Sequence, residues 1–274
     1  MSNEPHTGTN PRESGQASSR RRFLSALGLG VLAGTARFAS GHILAGPRDE
    51  TTRSTDHKVR IDGRVSRFEI TVPDAHYQRV TGAEHSFSAT FAAAQHQSYL
   101  ATATADLAKQ TSDRASAIRA AESLAAGITY ATDEASTGKF EFIRYPAETL
   151  VDGCGDCEDK AILLAGLLSR PPLDCRTALL IVPYHCATLV ARADLPRSMV
   201  AAEPLSVIVG GTEYVYVEGV ETVQPGRTAR DYGDRPQMAA YDGHWTVLNT
   251  VALLDWGREA ADRHGPDLVD AAIR

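Results

Sequence analysis

The sequence predicts an α+β fold of helices packed on an antiparallel sheet. Two observations carry this. Residues 86–131 are Ala-rich, with apolar side chains at helical spacing, whereas from residue 177 short β-rich runs follow one another with turn signals between them. Helices first and strands afterwards, with no βα alternation, point to α+β rather than to a parallel sheet.

Taken in order, residues 1–19 are polar and hold almost no large apolar side chain, so they cannot bury a core. Ser19-Arg20-Arg21-Arg22-Phe23-Leu24 then precedes a mildly apolar, Gly-rich run from Ser25 to Gly34. A basic segment before such a run has the form of an export signal. The string Ser-Arg-Arg-x-Phe-Leu resembles the twin-arginine signal, which implies export of a folded protein beyond the cytoplasmic membrane, secreted or at the cell surface. Small residues at Gly34-Thr35-Ala36 and at Ala39-Ser40-Gly41 both offer cleavage sites. The expected organisation is a signal and polar n-region over 1–45, a linker over 46–56, and one domain over 57–274. The core of that domain is expected at about 86–222, with a C-terminal extension beyond it.

Within the domain, Arg67 to Pro73 alternates apolar and polar side chains and reads as a strand. Residues 86–110 and 113–131 read as helices. In the second, Ile118, Ala121, Ala125 and Ile128 share a face with Leu124 beside them, and Ser112-Asp113 supplies the N-cap. Thr137-Gly138 breaks the pattern. Cys157 to Ser169 reads as a third helix, with Ala161, Leu164, Ala165 and Leu168 on its buried face and Pro171-Pro172 ending it. The strand-like runs are Thr177–Val182, Ala187–Ala191, Leu205–Val209 and Tyr214–Glu218, separated by signals such as Pro183 and Gly210-Gly211.

Composition narrows the function classes. The formal net charge is −6, and residues 1–45 hold five Arg against two acids, so the rest stands at about −9. A domain that acidic lacks the basic stripe that phosphate binding needs, so nucleic acid is not an expected partner. No apolar run reaches the roughly 18–20 residues that cross a bilayer. Four cysteines, Cys154, Cys157, Cys175 and Cys186, are too few and too clustered for a disulfide scaffold.

The informative stretch runs from Arg144 to Asp159. Asp156 stands where an N-cap belongs and Asp159 three residues on, where a capping partner belongs. Cys157 is then the first helical residue, where unpaired N–H groups and the helix dipole favour a thiolate and could receive an oxyanion. The nearby acids Asp156, Glu158 and Asp159 oppose this by raising the thiol pKa, so a positive partner is required. His185, at the junction of two predicted strands, can supply it, and Glu218 ends a later strand where it could hold the other imidazole nitrogen. Each residue alone has a plainer reading: a small buried thiol, a structural histidine, an exposed strand acid.

Tyr145-Pro146-x-Glu148-Thr149-Leu150, followed by Gly155-Asp156-Cys157-Glu158-Asp159-x-Ala161-Ile162-Leu163-Leu164-Ala165, resembles the core of bacterial and archaeal transglutaminase-like proteins. The likeness continues through the His185 strand and Tyr214-Val215-Tyr216-Val217-Glu218, and reaches back to Ile128-Thr129-Tyr130 and Ser136-Thr137-Gly138. It covers about residues 58–222 and is sharp over 144–165. It implies a papain-like α+β core with Cys157 as nucleophile, His185 as base and Glu218 as orienting acid, and structural roles for Glu148 and Asp156. The activity implied is cysteine-dependent acyl transfer on amide bonds of a protein or peptide through a thioester. Hydrolysis (protease or amidase) is favoured over amine cross-linking, and no cofactor or metal is expected.

Three departures from the family pattern stand out. Cys154 and Cys186 occupy positions where the family commonly has Gly and an apolar residue, and Glu218-Gly219-Val220-Glu221-Thr222 leaves Glu221 as an alternative third member. Because Cys154 and Cys186 flank the two catalytic positions, a disulfide between them is raised, against two buried thiols or a Cys154–Cys157 pair. Other readings are a zinc site on Cys154-x-x-Cys157, a thioredoxin-like redox pair, and a non-catalytic binding module on the same fold. Zinc would want a second short-spaced pair, and the redox reading a βαβ unit before residue 154. Neither is present in the sequence.

Overall fold

A computed structural model describes residues 51–182, 185–229 and 239–248. The expected twin-arginine signal and the Pro183-Tyr184 junction lie outside the described residues, as does the chain beyond 248. Helices and antiparallel strands make up the domain, as expected for an α+β fold.

The described chain begins with a hairpin. Strands β1 (Thr52–Ile61) and β2 (Arg64–Pro73) pair antiparallel around Asp62-Gly63, whose φ values of 45° and 83° suit a tight hairpin turn. Val59, Ile61, Phe68, Ile70 and Val72 form its buried face. The linker expected over 46–56 is therefore corrected, since a strand begins at Thr52. The Thr, Ser, Arg and His side chains of β1 hide it in the sequence, and pairing with β2 supplies what its own pattern lacks.

Helix α1 (Asp74–Thr81) follows directly. The single helix expected over 86–110 is two, α2 (Phe87–Ala94) and α3 (Ser98–Gln110). Ser86 caps α2 through a bond from Ala89 N, and Gln97 is extended between the two. Helix α4 (Arg114–Gly127) opens on Asp113, whose carboxylate accepts from Ser116 N at 2.7 Å. The predicted face of Ile118, Ala121, Leu124 and Ala125 is fully buried, partly beneath the hairpin. A Cβ on Gly127 would stand 2.9 Å from Lys58 O, so β1 can run over the end of α4 only with glycine there.

Next come β3 (Thr129–Tyr130), α5 (Asp133–Thr137), α6 (Pro146–Asp152) and β4 (Cys154–Gly155), with β3 and β4 paired in parallel. Helix α7 (Cys157–Leu168) is buried on every side, against α2, α3, α4 and α6 and against the strands that follow. A helix so apolar all round belongs in the middle of a core.

The main sheet holds β5 (Thr177–Val182), β6 (His185–Ala191), β7 (Ser206–Val209), β8 (Thr212–Val217), β9 (Ala239–Tyr241) and β10 (Trp245–Val247), in the order β10-β9-β5-β6-β8-β7, all antiparallel. Val190, Val215 and Val217 belong to the core shared with the helices, whereas Ala187, Leu189, Tyr214 and Tyr216 line a second apolar cluster. Burial on both faces explains why β5 and β6 read as continuous apolar runs. The core expected to close near residue 222 continues further, because β9 pairs with β5. Among the described residues no helix is long and apolar enough to cross a membrane.

Candidate active site

The start of α7 is held by Asp159. Its carboxylate accepts from Asp156 N at 3.3 Å, from Arg144 N at 2.6 Å and from Arg144 Nη1 at 2.9 Å. Gly155 makes the approach possible, since a Cβ there would lie 2.7 Å from Asp159 Cβ. On the far side, Thr188 Oγ1 donates to Ala161 O at 2.9 Å and clasps α7 to β6. Cys157, the first helical residue, is 8 % exposed. Its Sγ lies 3.1 Å from Glu158 Oε2, and Cys186, the residue after His185, stands beside it.

His185 opens β6 and is 4 % exposed. Its Nε2 lies 3.0 Å from Glu218 Oε1 and 3.1 Å from Tyr216 Oη. Tyr216 donates to Glu218 Oε2 at 2.6 Å, and Glu218 Oε1 also accepts from Gly219 N at 3.0 Å and Val220 N at 3.1 Å. Tyr216 and Glu218 are two residues apart, so the pleat directs both to one face. The carboxylate that meets His185 is thus Glu218, whereas Glu221 is exposed. The structure joins His185 to Glu218 directly and brings Cys157 to the start of the His185 strand. Glu148, expected to be structural, accepts from Tyr145 N at 3.0 Å and meets His85 Nε2 at 3.0 Å.

The electrostatics divide the site in two. Burial would raise the Glu218 carboxyl, but its bonds from His185, Tyr216 and Val220 N outweigh this and hold it below the ordinary carboxylate range. At the helix start the balance is reversed. Burial, then Asp156 and Cys186, push the Cys157 thiol well above its usual value. The thiol therefore rests neutral, because the helix dipole does not overcome desolvation and a neighbouring acid.

Around that thiol lies a group of buried and half-buried acids, of which the sequence pointed to Asp156, Glu158 and Asp159 but not to Asp133 and Glu141. Arg144 Nη1 pairs with Asp159 Oδ2 at 2.9 Å and with Asp133 Oδ1 at 3.2 Å, and Arg144 Nη2 donates to Ser136 at 2.7 Å. Burial pushes Asp159 and Glu141 up to about 7, and Asp156 and Glu158 well above the usual range. Metal-ligating atoms come within 4.8 Å of one another in three sets: Asp156 with Cys157 and Glu158, Asp133 with Glu141 and Glu158, and Asp133 with Asp156 and Asp159. Arg144 already stands as the cation against Asp133 and Asp159. Cys154, Cys175 and Cys186 belong to none of these sets among the described residues.

All four cysteines are free thiols, so the Cys154–Cys186 bond raised from the sequence is not formed, nor is a Cys154–Cys157 pair. Cys154 is half-buried on β4 opposite Thr129, whereas Cys186 is fully buried beside Cys157 and the acids. Burial also pushes the Cys175 thiol up, to about 11. Tyr216 is the further residue that sequence reading passed over. Strand alternation with Glu218 was the available signal.

Comparison of this chain with protein-family models, with curated proteins and with solved structures finds no match.

Proposed function

We propose that this chain is an exported cysteine-dependent acyl-transfer enzyme of transglutaminase-like type, with a papain-like core, acting on amide bonds of a protein or peptide. The observation that carries the reading is the buried His185–Glu218 bond, on the strand whose next residue, Cys186, stands beside the Cys157 thiol. With Nε2 turned to Glu218, Nδ1 is the nitrogen that would serve the thiol. The thiol rests neutral, so its proton passes to His185 as Sγ attacks the amide carbon and the S–C bond forms. The N–H groups at the start of α7 receive the oxyanion. The imidazolium then gives its proton to the leaving amine, leaving a thioester that water resolves with His185 acting again as base. An amine in place of water would give cross-linking, and hydrolysis is favoured because water is always present and no amine-recognition feature is readable.

The test is incubation of the protein with a glutamine-peptide library, with and without a primary amine, and product masses as readout. Loss of amide ammonia with a gain of water supports hydrolysis, and activity retained in Cys157→Ala removes the nucleophile. Replacing Arg20 and Arg21 with Lys is expected to strand the protein in the cytosol, and unchanged export would overturn the signal.

The raised thiol favours a second reading, a non-catalytic binding module on the same fold. Iodoacetamide separates the two, because a nucleophile is alkylated faster at Cys157 than at Cys175.

A further inference from the structure

The contact between Cys157 Sγ and Glu158 Oε2, at 3.1 Å, has no place in the scheme above. Glu158 is 2 % exposed and cannot shed charge into water. Its neighbours are the titratable groups of several elements. Asp156, Cys157 and Asp159 come from α7 and Asp133 from α5, with Lys139 beside Asp133. Glu141 and Arg144 come from the segment before α6, and Cys186 from β6.

Cation supply is short. The guanidinium of Arg144 is taken by Asp133 and Asp159. The Glu158 carboxyl comes within 4.8 Å of Asp156 on one side and of Glu141 on the other. Acids brought that close, away from water, relieve their repulsion by keeping protons, and Glu158, between the other two, is the most crowded of them. A fully ionised trio beside a thiolate would place four like charges in a dry pocket.

We propose that Glu158, kept protonated by its contacts with Asp156 and Glu141, donates a hydrogen bond to the Cys157 thiolate and is a further catalytic residue of the site. In the proton-transfer step the thiol proton goes to His185, and Glu158 keeps its own throughout, turning its O–H toward the sulfur as charge develops there. When the S–C bond forms the charge leaves sulfur and the O–H returns to its neighbours. Nothing is consumed. The inference rests on the reading of Cys157 as nucleophile. It adds that Glu158, one of the acids beside Cys157, works with the thiolate rather than against it.

The sign of one measurement decides it. In the full chain, the rate of Cys157 alkylation by iodoacetamide at pH 7 is followed by peptide mass for wild type, Glu158→Gln and Glu158→Leu. A neutral donor predicts that both variants are slower. Leu, which cannot donate, should lose on the order of tenfold, and Gln, whose amide still donates, about threefold. An ionised Glu158 would repel the thiolate, so its removal would make both variants faster, which overturns the proposal. Equal rates in all three also overturn it, since the carboxyl would then be structural. If Glu158→Leu fails to fold, Glu158→Gln alone gives the sign. If wild-type Cys157 reacts no faster than Cys175, the nucleophile reading falls, and the order of the variants still reports on Glu158.

Discussion

Glu218 Oε1 lies 3.0 Å from His185 Nε2, and both side chains are almost wholly buried. The carboxylate also takes bonds from Tyr216, Gly219 N and Val220 N, so it cannot turn away from the imidazole. A carboxylate fixed there favours the proton on Nε2, which would leave the lone pair on Nδ1. Glu218→Gln keeps the shape but reverses one hydrogen-bonding role. It is expected to lower kcat by about 10²- to 10⁴-fold with little change in KM. Glu221→Gln, at an exposed position, is expected to leave kcat within about twofold. Equal losses in steady-state kinetics would restore Glu221 as the third member.

Tyr216 donates to Glu218 and sits 3.1 Å from His185, so it draws carboxylate charge away from the imidazole. Tyr216→Phe is expected to free one oxygen of Glu218 and to lower kcat by about three- to tenfold with little change in KM. An unchanged kcat in steady-state kinetics would leave Tyr216 with packing alone.

Glu122 on α4 is buried with neither oxygen hydrogen-bonded within the protein, and desolvation pushes its carboxyl from 4.5 to about 8. The folded chain therefore keeps a proton that the unfolded chain gives up near 4.5, and the stability this group contributes below that pH is lost as pH rises through about 8. Thermal melts of the wild type should show a lower Tm at pH 8 than at pH 5. In Glu122→Gln the gap should shrink by a few degrees, on the order of 2–4 °C per kcal/mol. An unchanged gap would place the pH dependence elsewhere.

Arg144 pairs with Asp133 and Asp159 inside the protein. Arg144→Leu leaves two buried carboxylates without their cation and is expected to cost about 3–5 kcal/mol in urea unfolding. A loss below about 1 kcal/mol would mean that the two acids are already protonated at that pH.

Much of the architecture could be read from the chain because burial was written locally. Thr177–Val182 is apolar throughout since both faces of β5 are covered, and α4 shows its face because hairpin and helices leave its other side wet. Strand β1 escaped because only Val59 and Ile61 turn inward with large apolar side chains. The split between α2 and α3 escaped because Gln95-His96-Gln97 carries no Gly or Pro. At the site, Cys157, His185 and Glu218 were visible through spacing and resemblance. Their surroundings were not. Asp133 and Glu141 reach the helix start only through tertiary folding, and an acid in a loop looks the same whether it faces water or a thiol.

One guanidinium held between two carboxylates makes Arg144, Asp133 and Asp159 a single energetic unit, and its members cannot be weighed one at a time. Whichever acid is removed, the survivor inherits the whole of the cation, so the second deletion is not a repeat of the first. A double-mutant cycle on Asp133→Asn and Asp159→Asn should therefore depart from additivity by about 0.5–3 kcal/mol. Any homologue that loses one of the three would be expected to tolerate changes at the other two, so these positions should vary together or not at all.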